Sequence, residues 1–153
     1  MASTSLLSDF ALYLATNSTS LTIGQTLFYL QLPATTSNPN VSSTVPVAAI
    51  VPQIGLQSVR RFSQTGAGAA FERPTFKIVV RSTDGGGGDP SPLNAWQLAN
   101  EIHNLCETFP PNSTVLGGTH GTIGVMEPSG VPYLADRDDR NRYEFGFLLT
   151  VWG

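Results

Sequence analysis

Residues 143–152, YEFGFLLTVW, alternate with a period of two. In an extended chain Phe145, Phe147, Leu149 and Val151 fall on one face, and Glu144, Gly146, Leu148, Thr150 and Trp152 on the other. Both faces are substantially apolar, which predicts a central strand covered on both sides, or one whose second face meets a partner. Just before it stands DRDDRNR, residues 136–142, with six charged residues in seven positions. That cluster reads as a polar turn that starts the last strand, as a carboxylate site, or as a seam between subunits.

Upstream, TFKIVVRS at 75–82 alternates as well: Phe76, Ile78 and Val80 share one face, and Lys77 and Arg81 share the other with Val79. VAAIVPQIG at 47–55 predicts another strand, with Pro52 favouring an edge or bulge position. Leu27 to Leu32 predicts a strand limited by Pro33, and a further strand-like stretch, interrupted by glycines, spans 114–127. Two segments carry helical spacing instead. In residues 5–15, Leu6, Leu7, Phe10, Ala11 and Leu14 recur on one face. In SPLNAWQLANEIHNLCETFPP, residues 91–111, the expected buried stripe is Leu93, Trp96, Ala99, Ile102, Leu105, Cys106 and Phe109. Pro92 suits its first turn, and Pro110 and Pro111 end it.

Segments 33–46, 61–72 and 83–92 are rich in Ser, Thr, Asn, Gly and Pro and are expected to be loops or arms. The order is α-β-β-β-α-β-β, which lacks the regular alternation of a doubly wound parallel sheet. The expected fold class is therefore α/β in the α+β sense: a single domain over 1–153, mainly an antiparallel or mixed sheet with helices packed on it.

A chain of 153 residues buries roughly two-thirds of its unfolded surface, enough for a core without metal or disulfide. Charged residues make up 12%, about half the usual share. A surface built from uncharged polar residues is compatible with burial in an assembly. The net charge is -3, and no polybasic patch points to nucleic acid or membrane. The lone cysteine, Cys106, gives no disulfide framework and fits a space-filling core role. No stretch has the roughly 18 apolar residues of a membrane span, and the N-terminal residues do not read as a signal peptide. The sequons at Asn17 and Asn112 are accordingly expected to be chance matches.

The search for chemistry yields weak patterns. The four glycines at 85–88 lack the Lys-Ser/Thr ending of a phosphate loop and the GxGxxG spacing. His103 and Glu107 stand four apart and are expected to pair on the exposed side of the long helix; they do not form HExxH. His120, in GGTHGTIG, fits a structural hydrogen bond or an assembly contact. The acids Asp136, Asp138, Asp139 and Glu144 have the type to hold a divalent ion or act as a carboxylate pair. Arg137, Arg140 and Arg142 stand among them, so mutual pairing across a subunit seam is the cheaper explanation. Catalytic, metal and cofactor-binding residues are expected to be none, and the protein is not expected to be an enzyme.

The C-terminal stretch EPSGVPYLADRDDRNRYEFGFLLTVWG resembles the end of tail-terminator or tail-completion proteins of tailed bacteriophages, a type that includes minor capsid proteins. The matching features are Gly130-Val131-Pro132, the small step Leu134-Ala135, the acids Asp136, Asp138 and Asp139, a following arginine at Arg140 or Arg142, and the final strand from Tyr143. The first short helix, LFYLQLP, VAAIVPQIG, ERPTFKIVVRS and NAWQLANEIHNLCETF stand upstream in the order the resemblance implies. It further implies a homo-oligomeric ring, commonly of six subunits, that caps the tail tube and joins it to the head-neck connector or adaptor. Genomic DNA would pass through the opening without sequence recognition. The location would be the virion's head-tail junction, after assembly in the host cytoplasm. Other expectations are a different neck or adaptor subunit, a small hydrolase using Asp136–Asp139, and an adhesion or carbohydrate-binding domain.

Overall fold

The computed structural model describes residues 4–32, 46–52, 59–60, 70–71, 74–82, 91–137 and 142–152. Among the described residues two helices, α1 (Thr4–Asn17) and α2 (Ser91–Glu107), accompany nine strands. The strands are β1 (Leu27–Tyr29), β2 (Val47–Pro52), β3 (Val59–Arg60), β4 (Ala70–Phe71), β5 (Thr75–Arg81), β6 (Ser113–Thr114), β7 (Thr122–Ile123), β8 (Val125–Arg137) and β9 (Tyr143–Trp152). Five of them form the main sheet in the order β1-β2-β5-β9-β8. Its members and the two helices follow one another along the chain as α-β-β-β-α-β-β, the order expected. The pairs β3-β4 and β6-β7 are separate short ribbons. β1 runs parallel to β2, and every other junction in the main sheet is antiparallel, so the sheet is mixed.

One face of the sheet carries the core. Phe76, Ile78 and Val80 of β5, and Phe147, Leu149 and Val151 of β9, are fully buried in one cluster with Leu6, Phe10, Ala11 and Leu14 of α1. Each phenylalanine, leucine, isoleucine or valine among them contributes about 1.5–3 kcal/mol by leaving water. Phe10 stacks on Phe76 with ring centroids 6.0 Å apart, which sets α1 over β5. The alternating pattern of these two inner strands thus decides which face the helices cover.

α2 is seated differently from the expected stripe. Its buried side is Ala95, Leu98, Ala99, Ile102 and Cys106, with Phe109 buried just past its end, while Leu93 and Trp96 are half exposed at 53% and 45%. The two alanines let the helix backbone approach the sheet closely, and a large Trp on that line would hold it off. Leu105 is only partly buried against the cluster.

Strand ends also depart from the sequence pattern. β1 stops at Tyr29 because Leu30 turns to a φ of 72° while its N–H still donates to the Ile50 carbonyl. β2 ends at Pro52, beyond the Ala48–Ile50 stretch that β1 covers, so the missing N–H faces no lost partner in β1. The stretch expected as one strand at 114–127 divides into β6, β7 and the start of β8. β8 then continues through Pro128, Gly130 and Pro132, residues that break most strands. An edge position tolerates them, and the pairing with β9 shifts register between Ser129 and Tyr133 and again between Leu134 and Asp136. Of the expected loops, 33–45 and 83–90 lie outside the described residues, as do 61–69 between the paired β3 and β4.

β9 passes close to β5 at Gly146, where an added Cβ would stand 2.8 Å from the Ile78 carbonyl oxygen. Backbone in an inner strand has no room to retreat. Gly146→Ala is expected to lower unfolding free energy by about 1–3 kcal/mol, read as a lower denaturant midpoint at unchanged slope. An unchanged midpoint would contradict this packing.

Candidate functional site

The charged residues before β9 were the leading candidates. Asp136 and Arg137 end β8, paired with Glu144 and Tyr143 respectively. Asp138, Asp139 and Arg140 lie outside the described residues. Arg142 is buried at 7% exposure, and Glu144 is half-buried. Register sets Arg81 opposite Glu144, on the face away from the helices, and pairs Glu144 in turn with the backbone of Asp136 in β8. Opposite charges at such positions attract across the sheet. Arg81, on the strand face it shares with Val79, is also buried, and both it and Arg142 have interaction partners, as a guanidinium removed from water requires.

The edge strand beside this row is unusually apolar for an exposed edge. Val131, Tyr133 and Leu134 are 72%, 49% and 55% exposed. Leu93 and Trp96 lie on α2, which packs on β8 and β9. Tyr133, opposite Gly146, and Leu134, opposite Phe145, stand on different faces of this edge, so the exposed apolar residues flank the edge on both sides.

His103 is not on the exposed side of α2. It is buried, and its Nε2–H donates to the Gly130 carbonyl at 2.5 Å. Its ring meets Phe147 edge to face at 5.0 Å, and Nδ1 lies 3.6 Å from the Glu107 carboxylate. The histidine therefore clasps the irregular middle of β8 to α2, just where Gly130 adopts a φ of 67°. Its position one residue after Ile102 and three before Cys106, both in the buried stripe, is the signal in the sequence that points to burial.

A second polar anchor was not legible as such. Asp9 of α1 is buried and accepts hydrogen bonds from the backbone N–H groups of Thr119 and His120, at 2.9 and 2.8 Å. A Cβ on Gly118 would overlap the Asp9 carboxylate, 2.4 Å from Oδ2. The glycines of GGTHG therefore let the backbone wrap a carboxylate on a different element, and His120 serves the structural contact expected of it through its main chain.

Among the described residues no group of three His, Cys, Asp or Glu is placed to hold a metal ion. No described helix is long and apolar enough to cross a membrane. Cys106 is fully buried, and burial, with a smaller push from the Glu107 carboxylate, drives its thiol far above the ordinary range. Tyr13, which donates to the Leu105 carbonyl at 2.7 Å, is also raised, by burial first and by Cys106 to a lesser degree, against a lowering contribution from Thr108. A scan against models of known protein families finds no match, and a search of curated proteins finds no similar chain.

Three outcomes follow from this geometry. Asp9→Asn turns one acceptor into a donor facing backbone N–H groups, and is expected to cost about 1–3 kcal/mol of unfolding free energy in denaturant titration. Cys106 should resist thiol reagents at neutral pH in the folded protein and react on unfolding; labelling at the same rate in both states would contradict its burial. Both raised groups fold best uncharged. Their contribution is complete below the unfolded-state values of about 8.5 and 10 and is lost as pH rises above them. Melting temperature should accordingly fall in alkali, and Tyr13→Phe should reduce the fall.

Proposed function

We propose that the protein is a structural virion component, a tail terminator whose copies form a ring that caps the tail tube and joins it to the head-neck connector. The observation that carries the reading is the β8–β9 flank. There an edge strand with exposed Val131, Tyr133 and Leu134 adjoins an arginine- and acid-rich connection in the C-terminal stretch that resembles that family. A monomer gains nothing from such a flank, whereas a subunit interface uses apolar contact for affinity and charge pairs for register.

In this reading Asp136, Arg137, Asp138, Asp139, Arg140, Arg142 and Glu144 belong to the seam or its support. The buried Arg142 and the paired positions Arg81 and Glu144 support the flank. Ring closure needs two different surfaces that meet head to tail. The low charge of the chain, 12% of residues, suits a subunit largely covered by neighbours. The protein's work is then assembly, with no catalytic turnover, and DNA passes through the opening without being gripped.

Native mass spectrometry over a concentration series tests this directly. A closed homo-oligomer, with six copies as the expected number, supports it. A chain that stays monomeric at every concentration and binds neither tail-tube nor connector protein would overturn it.

A further inference from the structure

Charge is absent from long stretches of this chain. Residues 10–59 contain no Asp, Glu, Lys, Arg or His, and neither do 91–100 or 128–135. The first stretch supplies β1 and β2 at one edge of the main sheet. The other two supply the N-terminal half of α2 and most of β8, the strand at the opposite edge. Exposed apolar side chains stand at both edges. At β1 they are Ile23, which bridges to Leu27, Tyr29, and Leu30, which follows it at a φ of 72°. At β8 they include Val131 and Leu134.

Register sets the two groups at one height. On the helix-covered face one row runs Leu134, Phe145, Val80, Ala48, Leu27. The next runs Phe147, Ile78, Ile50, Tyr29, and at its β8 end lies the register shift that contains Val131. The rows end at opposite edges, four strand spacings or roughly 19 Å apart. Trp96 belongs with the β8 end. It stands two turns before His103, which clasps Gly130, and so lies on the same side of α2. α2 and β8 run antiparallel, since Asn112, past the end of the helix, bonds to Gly124 just before the strand. Two helical turns and the step from Gly130 to Leu134 each cover roughly 10–13 Å, which brings Trp96 to the height of Leu134.

The outer side of β1 is closed to a further strand. The Leu27 N–H donates to the Thr22 carbonyl, the Leu27 carbonyl accepts from Gly24, and the Tyr29 carbonyl accepts from Gln31. A neighbour therefore meets this edge through side chains. Charge decides which neighbour. An ordinary protein surface carries about a quarter charged residues, and nucleic acid carries a phosphate at every step. Either would lose water from its charges against a flank that offers no counter-charge. The opposite flank of a second copy has no charge to desolvate.

Resting on the ring reading above, we propose that the β8 flank of one copy packs against the β1 flank of the next. Trp96, Val131 and Leu134 then meet Ile23, Tyr29 and Leu30. Two unlike surfaces at one height give a head-to-tail contact with little rise, which closes into a ring instead of climbing as a filament.

Sedimentation velocity on the full chain tests the junction. Leu134→Glu and Leu30→Asp each set a carboxylate in one flank, at exposed positions, and Asp adopts the positive φ of Leu30 readily. An unchanged melting temperature shows that each variant keeps the fold. Each should weaken self-association at least about tenfold. Mixed in equal amounts, the two retain one intact β8 flank and one intact β1 flank, so they should form a one-to-one dimer and stop. Leu116→Glu, at the exposed turn between β6 and β7, should assemble like the wild type, and equal weakening there would overturn the assignment to these flanks. If the wild-type chain assembles and both flank variants assemble equally well, this junction is wrong while the ring reading stands. A mixture without dimer, or a two-fold dimer formed by either variant alone, shows that these two flanks do not meet. A wild-type chain that never associates removes both.

Discussion

The outward face of this protein depends on the direction in which four side chains of β9 point. Phe147, Leu149 and Val151 are fully buried under the helices, and Phe145 packs at the margin of the same cluster. A slip of one residue against β5 would send all four to the other side of the sheet. The contact of Gly146 with the Ile78 carbonyl and the two-helix layer together hold that register. Once it is set, Arg81 must fall opposite Glu144, and β9 presents its outer side to β8, the edge strand.

Period-two alternation in β5 and β9 and the helical spacing of α1 were legible because burial on one side dictates them residue by residue. The rotation of α2 was not. Large apolar residues at Leu93 and Trp96 compete for the buried face in any count of hydrophobicity, yet the sheet selects Ala95 and Ala99 because close approach outweighs side-chain size there. β8 was obscured by Pro128, Gly130 and Pro132, which exclude an interior strand but not an edge. Asp9 and His103 were hidden for a further reason. Each is defined by a partner more than twenty residues away, and no local pattern announces a carboxylate that will meet the backbone of Thr119 and His120.

The candidate seam was partly legible. Its charge is explicit in DRDDRNR, but its neighbourhood comes from the fold: the buried Arg142, the pairing of Arg81 with Glu144, and the exposed Val131, Tyr133 and Leu134 beside it. On the proposed reading the low charge of the chain has its physical cause in assembly.

Electron cryomicroscopy of the concentrated chain tests that account most directly. It predicts closed rings in which the β8 edge of every copy meets a different surface of the next. Isolated monomers, or two-fold dimers joined through the same surface on both copies, would contradict it.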